Sequence, residues 1–429
     1  MKVLMFGWEF PPHISGGLGT ACYGLTKGLS KFNDLEVLFV VPKAFGDEDQ
    51  STVKIIGASD VYISKRAIDL KGFGKEMDLI EVDSMLVPYT GPDEYYRLLK
   101  KYETYNTRLV QGDFEGKFSF SGTYGKNLFA EITNYSIVAS SIAIENEFDV
   151  IHAHDWLTYP AGIAAKEISG KPLVIHVHAT DFDRSGGNVN PRVYEIEKHG
   201  MEIADMIITV SNWTRDIVIN KYGINPDKVV TVYNAVEPVS DSDKVSIRRG
   251  ISDKIVTFLG RITLQKGPEY FIEAAYKVLQ KMENVRFVMA GSGDMMNKMI
   301  LRAARLGISN RFYFTGFLTG DDVYQMYSIS DVYVMPSVSE PFGISPLEAI
   351  QSNVPVIISR QSGVAEVLNH AIKIDFWDID AMADAIYGIL NYPALSVMFK
   401  KYGKQEVDKL KWETSASLVR DIYISLTNS

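Results

Sequence analysis

Short apolar runs, each leading through a turn into a stretch with helical spacing, recur along the whole chain. They predict buried strands over 3–6, 37–41, 150–156, 173–178, 206–210 and 229–233. Between them, helices are expected from about 20–31, 126–146 and 191–204, with a further one capped by Ser211. Residues 234–253 are polar and quiet, which makes them the natural domain boundary. The alternation then restarts, with strands at 254–259, 286–290, 312–314, 332–335 and 354–359 and helices near 268–281, 295–306 and 321–328. Helices from about 381 onward carry Trp412 and Tyr423, read as packing residues. Two successive strand–helix alternations imply an α/β protein of two Rossmann-like, doubly wound domains facing each other across a cleft. The expected division is 1–240, 250–405 and a C-terminal helix at 406–429 that can cross back to the first domain. Residues 47–125 fit neither pattern and read as a functional insertion rich in Tyr and Phe.

Three stretches carry candidate chemistry. The first is EPFGISPLE at 340–348, with two acids eight positions apart. Ser345 is expected to be the N-cap, Pro346 the first helical residue and Glu348 the capping-box acid. Glu340 then lies in a loop at the carboxyl end of a strand, where open α/β sheets bind ligands. Alternatively, Glu348 is only a cap and Glu340 a solvated acid. The second is the loop containing Gly16, Gly17 and Gly19 after the first strand. Its amides can approach an anion at a helix N-terminus, although its spacing is not G-x-G-x-x-G and a plain glycine turn is the other reading. The third is the pair of H-x-H strand ends, His152/His154 and His176/His178, which hold four of the seven histidines. Positions i and i+2 face one side of a strand, so each pair could hold a metal. With Asp155, Asp181 and Asp183 nearby, the same ends could equally bind a hydroxyl-rich substrate.

Composition narrows the classes. With 429 residues, more than one domain is expected. The 53 acids against 44 bases give a net charge of -9 without a basic block, which argues against nucleic acid as a partner. The single Cys22 excludes an intrachain disulfide and fits a reducing cytoplasm. Glu9 and two prolines interrupt the apolar start before it could form a signal-peptide core, and no apolar run approaches a membrane span.

Taken together, Glu9 with SGGLG, HAHDW, His178, YNAVE, GRITLQKG at 260–267 and EPFGISPLE resemble the retaining GT-B glycosyltransferases that include glycogen and starch synthases. The resemblance covers nearly the whole chain except about 47–125. It implies that Arg261 and Lys266 hold the diphosphate of an ADP- or UDP-glucose donor while Gly16 and Gly17 close over it. Glu348 would take the ribose hydroxyls, and Glu340 with the amides of Gly343 and Ile344 would hold the sugar. His178 would lie under the sugar ring, with Glu340 and Asp155 as positioning and electrostatic residues. No metal or other cofactor is implied, and the acceptor would be an α-glucan or another sugar. Two departures from bacterial glycogen synthases, Ser15 in place of lysine and the presence of Glu348, point toward the broader family of retaining transferases. A metal-dependent hydrolase built on the H-x-H pairs is the chemically distinct alternative.

Overall fold

The computed structural model describes residues 1–14, 16–63, 116–125, 127–238 and 250–428. Ser15, most of the irregular stretch and the middle of the polar boundary therefore lie outside the described residues. The Val-, Ile- and Phe-rich runs form strands buried on both faces, which is what an all-parallel sheet flanked by helices requires. In the first sheet these are β1 (Lys2–Phe6), β2 (Glu36–Val41), β3 (Lys54–Gly57), β4 (Val150–His154), β5 (Leu173–Val177), β6 (Met206–Thr209) and β7 (Val229–Thr231). They pair in parallel in the order β3-β2-β1-β4-β5-β6-β7. The second sheet comprises β8 (Lys254–Leu259), β9 (Val285–Ala290), β10 (Phe312–Gly316), β11 (Val332–Met335), β12 (Val356–Ser359) and β13 (Ile372–Ile374). Its order is β10-β9-β8-β11-β12-β13, again parallel.

Both orders reverse direction once, between β1 and β4 and between β8 and β11. Loops leaving the strands at such switch points diverge and open a crevice. The glycine loop follows β1 and HAHDW ends β4, while GRITLQKG follows β8 and EPFGISPLE follows β11. Every motif singled out above except YNAVE and the His178 run thus emerges at a switch point, and the His178 run ends the strand beside β4.

The C-terminal helix Trp412–Thr427 packs on the helix Gly17–Leu29 of the first sheet. Trp412, Ala416, Val419, Ile422 and Tyr423 share one buried cluster with Ala21, Cys22, Leu25 and Leu29. Each large side chain so buried contributes roughly 1.5–3 kcal/mol, so this return crossing is a substantial tie between the two ends of the chain. A second apolar seam joins the sheets directly, with Val210 and Val236 packed among Tyr333, Met335, Phe342 and Val364.

Candidate active site

In the second sheet, the chain leaving β8 makes a 3-10 turn, Leu264–Lys266, that turns Lys266 back toward β11. Its Nζ donates to Glu340 Oε2 at 2.5 Å, and Ser337 Oγ donates to the same oxygen at 3.1 Å. The Glu340 side chain is only 8% exposed, so the pair sits where solvent screens it weakly. Arg261, on the same loop, is exposed and without an ion-pair partner among the described residues. Gly343 has a φ of +98°, the left-handed region where a side chain is strained, and a Cβ there would come within 3.2 Å of Glu340 Cγ. Ile344 beside it touches apolar clusters of both sheets.

The helix after this loop, Ser345–Gln351, begins one residue earlier than its sequence suggests. Ile344 is already helical at φ −74° and ψ −36°, and its carbonyl accepts the amides of Leu347 and Glu348. Ile344 is therefore the N-cap, with no side-chain cap, and neither Ser345 nor Glu348 makes the expected capping box. Instead the Glu348 carboxyl is partly buried against Tyr327. Burial pushes it up to about 7, with the Tyr327 hydroxyl acting in the opposite direction.

In the first sheet, the helix after the glycine loop also starts early, at Gly17 rather than near residue 20. Buried Glu9 accepts the Gly19 amide at 3.2 Å and so ties the first turn to the end of β1. The space beside Gly16 and Gly17 is open, which leaves their backbone approachable at the positive end of a helix.

Asp155 is the one described residue besides Asn353 and the glycines with a left-handed backbone, at φ +61°. Its Oδ1 accepts the amides of His178 at 2.7 Å and Ala179 at 3.1 Å, and Arg184 reaches Oδ2 at 3.4 Å. With both oxygens engaged inside the first domain, Asp155 is a strut under the His178 loop. Any part it takes in chemistry runs through that loop.

The H-x-H pairs meet because β4 and β5 are neighbours in a register that sets His154 opposite His176. The four imidazoles stack, with ring centroids 4.2 Å apart for His152 and His154 and 4.3 Å for His176 and His178. His154 Nδ1 and His178 Nε2 face each other at 2.9 Å, while Tyr423 of the C-terminal helix bonds His152 Nδ1 at 2.5 Å. Burial lowers the pKa of all four rings; for His178 the Asp155 charge opposes this. The stack is therefore neutral, and His178 is its only member that is more than slightly exposed.

The two halves join through residues adjacent to these groups. The short helix Asp181–Ser185 that follows the His178 loop packs on the Leu264–Lys266 turn. Its Asp183 accepts a hydrogen bond from Ser339 Oγ at 2.5 Å, one residue before Glu340, and burial raises its carboxyl. Ser211 Oγ donates to the Pro341 carbonyl at 2.5 Å. Gly363 is required where these chains cross, since a Cβ there would lie 2.2 Å from that carbonyl and 2.4 Å from Ser211 Cβ. Glu366 accepts the amides of Asn212 and Trp213 at the start of the helix Asn212–Tyr222 and the hydroxyl of Tyr233. The structure thus gathers His178, Lys266, Glu340 and Gly343 around one interface, with Glu348 a helical turn behind. Ser339, Gly363 and Glu366, which the sequence did not single out, hold that interface; their roles depend on contacts more than 120 residues apart along the chain.

Residues 122–239 match the domain described as Glycosyltransferase Family 4, and 240–406 match Glycosyl transferases group 1. An uncharacterized glycosyltransferase of Methanocaldococcus jannaschii is 28% identical over 443 residues, covering 99% of this chain and 98% of that one. The glycogen synthase of Mycobacterium tuberculosis is 22% identical over 443 residues, covering 99% and 95%. Among solved structures, Anabaena HepE in complex with UDP and glucose superposes with a TM-score of 0.70 at 18% identity, covering 99% of this chain and all of that one. The fold is thus GT-B, two parallel-sheet Rossmann-like domains. The chain is a glycosyltransferase, with a family 4 domain followed by a group 1 domain.

Proposed function

We propose that the protein is a retaining hexosyltransferase that moves glucose from ADP- or UDP-glucose to the end of an α-glucan. The observation that carries this reading is the Lys266–Glu340 pair beside exposed Arg261, joined to the His178 loop by the Asp183–Ser339 hydrogen bond. Negative charge grows on a departing diphosphate, and two fixed cations with the amides at Gly16 and Gly17 stabilise it where it develops. Glu348 accepts the ribose hydroxyls, and Glu340 with the Gly343 and Ile344 amides fixes the hexose over His178. The acceptor attacks from the face the diphosphate leaves, through an oxocarbenium-like transition state, and the leaving phosphate takes the acceptor's proton. Glu340 stabilises the positive charge on the sugar, while Asp155 holds His178 in register. No metal is needed, because Arg261 and Lys266 already supply the positive charge.

The glycogen synthase relative supports a glucan acceptor, and the UDP and glucose bound to HepE support a UDP-glucose donor. A different sugar acceptor, of the cell envelope or a small molecule, is favoured by two features: Glu348 and Ser15 depart from the bacterial glycogen synthase pattern. A hydrolase with a metal held by the H-x-H pairs fits less well, since His152 and His176 are 0% and 2% exposed and offer no open position to water and substrate. Among the described residues, no helix is long and apolar enough to cross a membrane. The cytoplasm is the compartment this reading assumes. Incubation with ADP-glucose and UDP-glucose, with and without glycogen and in the presence of a chelator, tests the donor, the acceptor and metal independence together through released nucleotide.

A further inference from the structure

Beneath the His178 loop lie two side chains, Cys22 and His154, that the transfer reaction does not use. Cys22, on the second turn of the helix that opens with the glycine loop, is buried beside His154 and His178. Each of the three offers a ligand atom, and these atoms all lie within 4.8 Å of one another. A tetrahedral zinc with ligands at its usual bond lengths sets them about 3.3–3.8 Å apart, so small side-chain shifts suffice. The facing nitrogens of His154 and His178, at 2.9 Å, need to part by only about half an ångström to reach that range.

The chemistry of the donors fits a soft or borderline cation. Burial keeps both imidazoles neutral, the state that ligates. His154 Nε2 and His178 Nδ1 are buried without a protein partner, so binding a metal disrupts only the one bond between the two rings. Burial and the charges of Asp155 and Glu9 hold the Cys22 thiol protonated, and the field of those same carboxylates favours an incoming dication. Three protein ligands leave a fourth position open, and His178, the partly exposed member, is where a cation could enter.

We propose that Cys22, His154 and His178 form a binding site for a thiophilic divalent cation of the zinc type, and that its occupancy switches the transferase off. As the metal–Sγ bond forms, the thiol proton leaves to solvent, the ring that donates in the His154–His178 hydrogen bond moves its proton to its other, unpartnered nitrogen, and the two facing lone pairs complete the set. The ion immobilises His178 and puts a positive charge under the sugar, where the transition state also develops positive charge, so turnover falls. This is distinct from a catalytic metal, since the uninhibited enzyme is the metal-free one. The inhibitory effect rests on the transferase reading; the binding itself does not.

Cobalt(II), added to the full-length chain, provides the test. One equivalent should bind with the visible bands of a tetrahedral ion and a near-ultraviolet thiolate-to-metal charge-transfer band. Because Cys22 is the only cysteine, that band reports a single site. Zinc should displace the cobalt, and Cys22→Ala should abolish the band and weaken zinc binding by at least about 100-fold, more than the loss of an outer partner costs a site. Cys22→Ala should keep basal transfer activity and resist zinc, whereas the unaltered chain loses activity to zinc and regains it with chelator. Cobalt binding without the thiolate band, no binding, or binding lost on His13→Ala would overturn the site; the last would move it to exposed His13 and Asp47 with buried Glu48. Binding with the thiolate band but equal inhibition in Cys22→Ala would overturn the switch. Should the chain prove to transfer no hexose, the cobalt and zinc titrations still decide the site.

Discussion

Glu348→Gln distinguishes a donor ligand from a residue that merely starts a helix. The side chain is partly buried against Tyr327, and the cap position next to its helix is Ile344 with no side-chain bond, so little capping energy is at stake. If the carboxylate accepts ribose hydroxyls, replacing charged by neutral hydrogen bonds removes about 1.5–3 kcal/mol of donor binding, or roughly 10- to 150-fold in donor KM. The effect depends on pH, because burial holds this carboxyl near 7. Ionised Glu348 is the better acceptor, so the donor KM of the unaltered enzyme should fall as pH rises through about 7, and that of the variant should not. Stability moves the other way. The folded-state value of about 7 lies above the ordinary 4.5, so the protonated side chain favours folding fully below 4.5 and the benefit is lost as pH rises through about 7. Relative to Glu348→Gln, the unaltered protein should lose at most about 3 kcal/mol across that window. Donor kinetics and thermal melting of both proteins on either side of neutrality measure the two effects. An unchanged donor KM together with a pH-independent loss of melting temperature, of the size of a lost cap, about 0.5–2 kcal/mol, would refute the reasoning.

Glu340→Gln should lower kcat more than it raises donor KM, by about 100-fold or more, because the interaction strengthens as positive charge develops on the sugar; steady-state kinetics with varied donor measure the split. Arg261→Ala should weaken donor binding by about 1.5–3 kcal/mol while leaving stability within about 0.5 kcal/mol, since the exposed side chain supports nothing else; calorimetric titration with the nucleoside diphosphate and a melting curve check both. Asp155→Asn keeps one acceptor for the His178 and Ala179 amides but unbalances Arg184, so both kcat and stability should fall, the latter by about 1–3 kcal/mol; kinetics alongside denaturant unfolding would expose a loss confined to one of them. Exhaustive chelation should leave turnover intact, and activity restored only by a divalent ion would contradict metal independence.

The two sheets were legible because strands buried on both faces leave continuous apolar runs, as at 3–6 and 332–335, and because the strand–helix alternation visibly restarts near 254. Helix starts were less so. At Ile344 and Gly17 the backbone turns helical earlier than local capping signals suggest, because Ile344's own carbonyl holds the first turn of one helix and the distant Glu9 carboxylate holds that of the other. The alternation of His152, His154, His176 and His178 was plain in the sequence, but their merger into one stack follows from the β4–β5 register, which no local pattern encodes. Asp155 illustrates the same limit. Its identity and position are visible in HAHDW, yet its task depends on a left-handed backbone and on amides 23 residues away. The cross-domain contacts of Ser339, Gly363 and Glu366 left no sequence signal, since a serine, a glycine and a glutamate in loops or at helix starts are ordinary residues.

Nucleotide release from ADP-glucose and from UDP-glucose, measured with and without glycogen in chelator, bears most directly on the proposed reaction. Release from at least one donor that rises sharply on adding glycogen, with radiolabelled glucose passing into the polymer in α linkage, is the expected result. Release from neither donor with any sugar acceptor, or transfer that yields a β linkage, would contradict a retaining glucosyltransferase built on Lys266, Glu340 and His178.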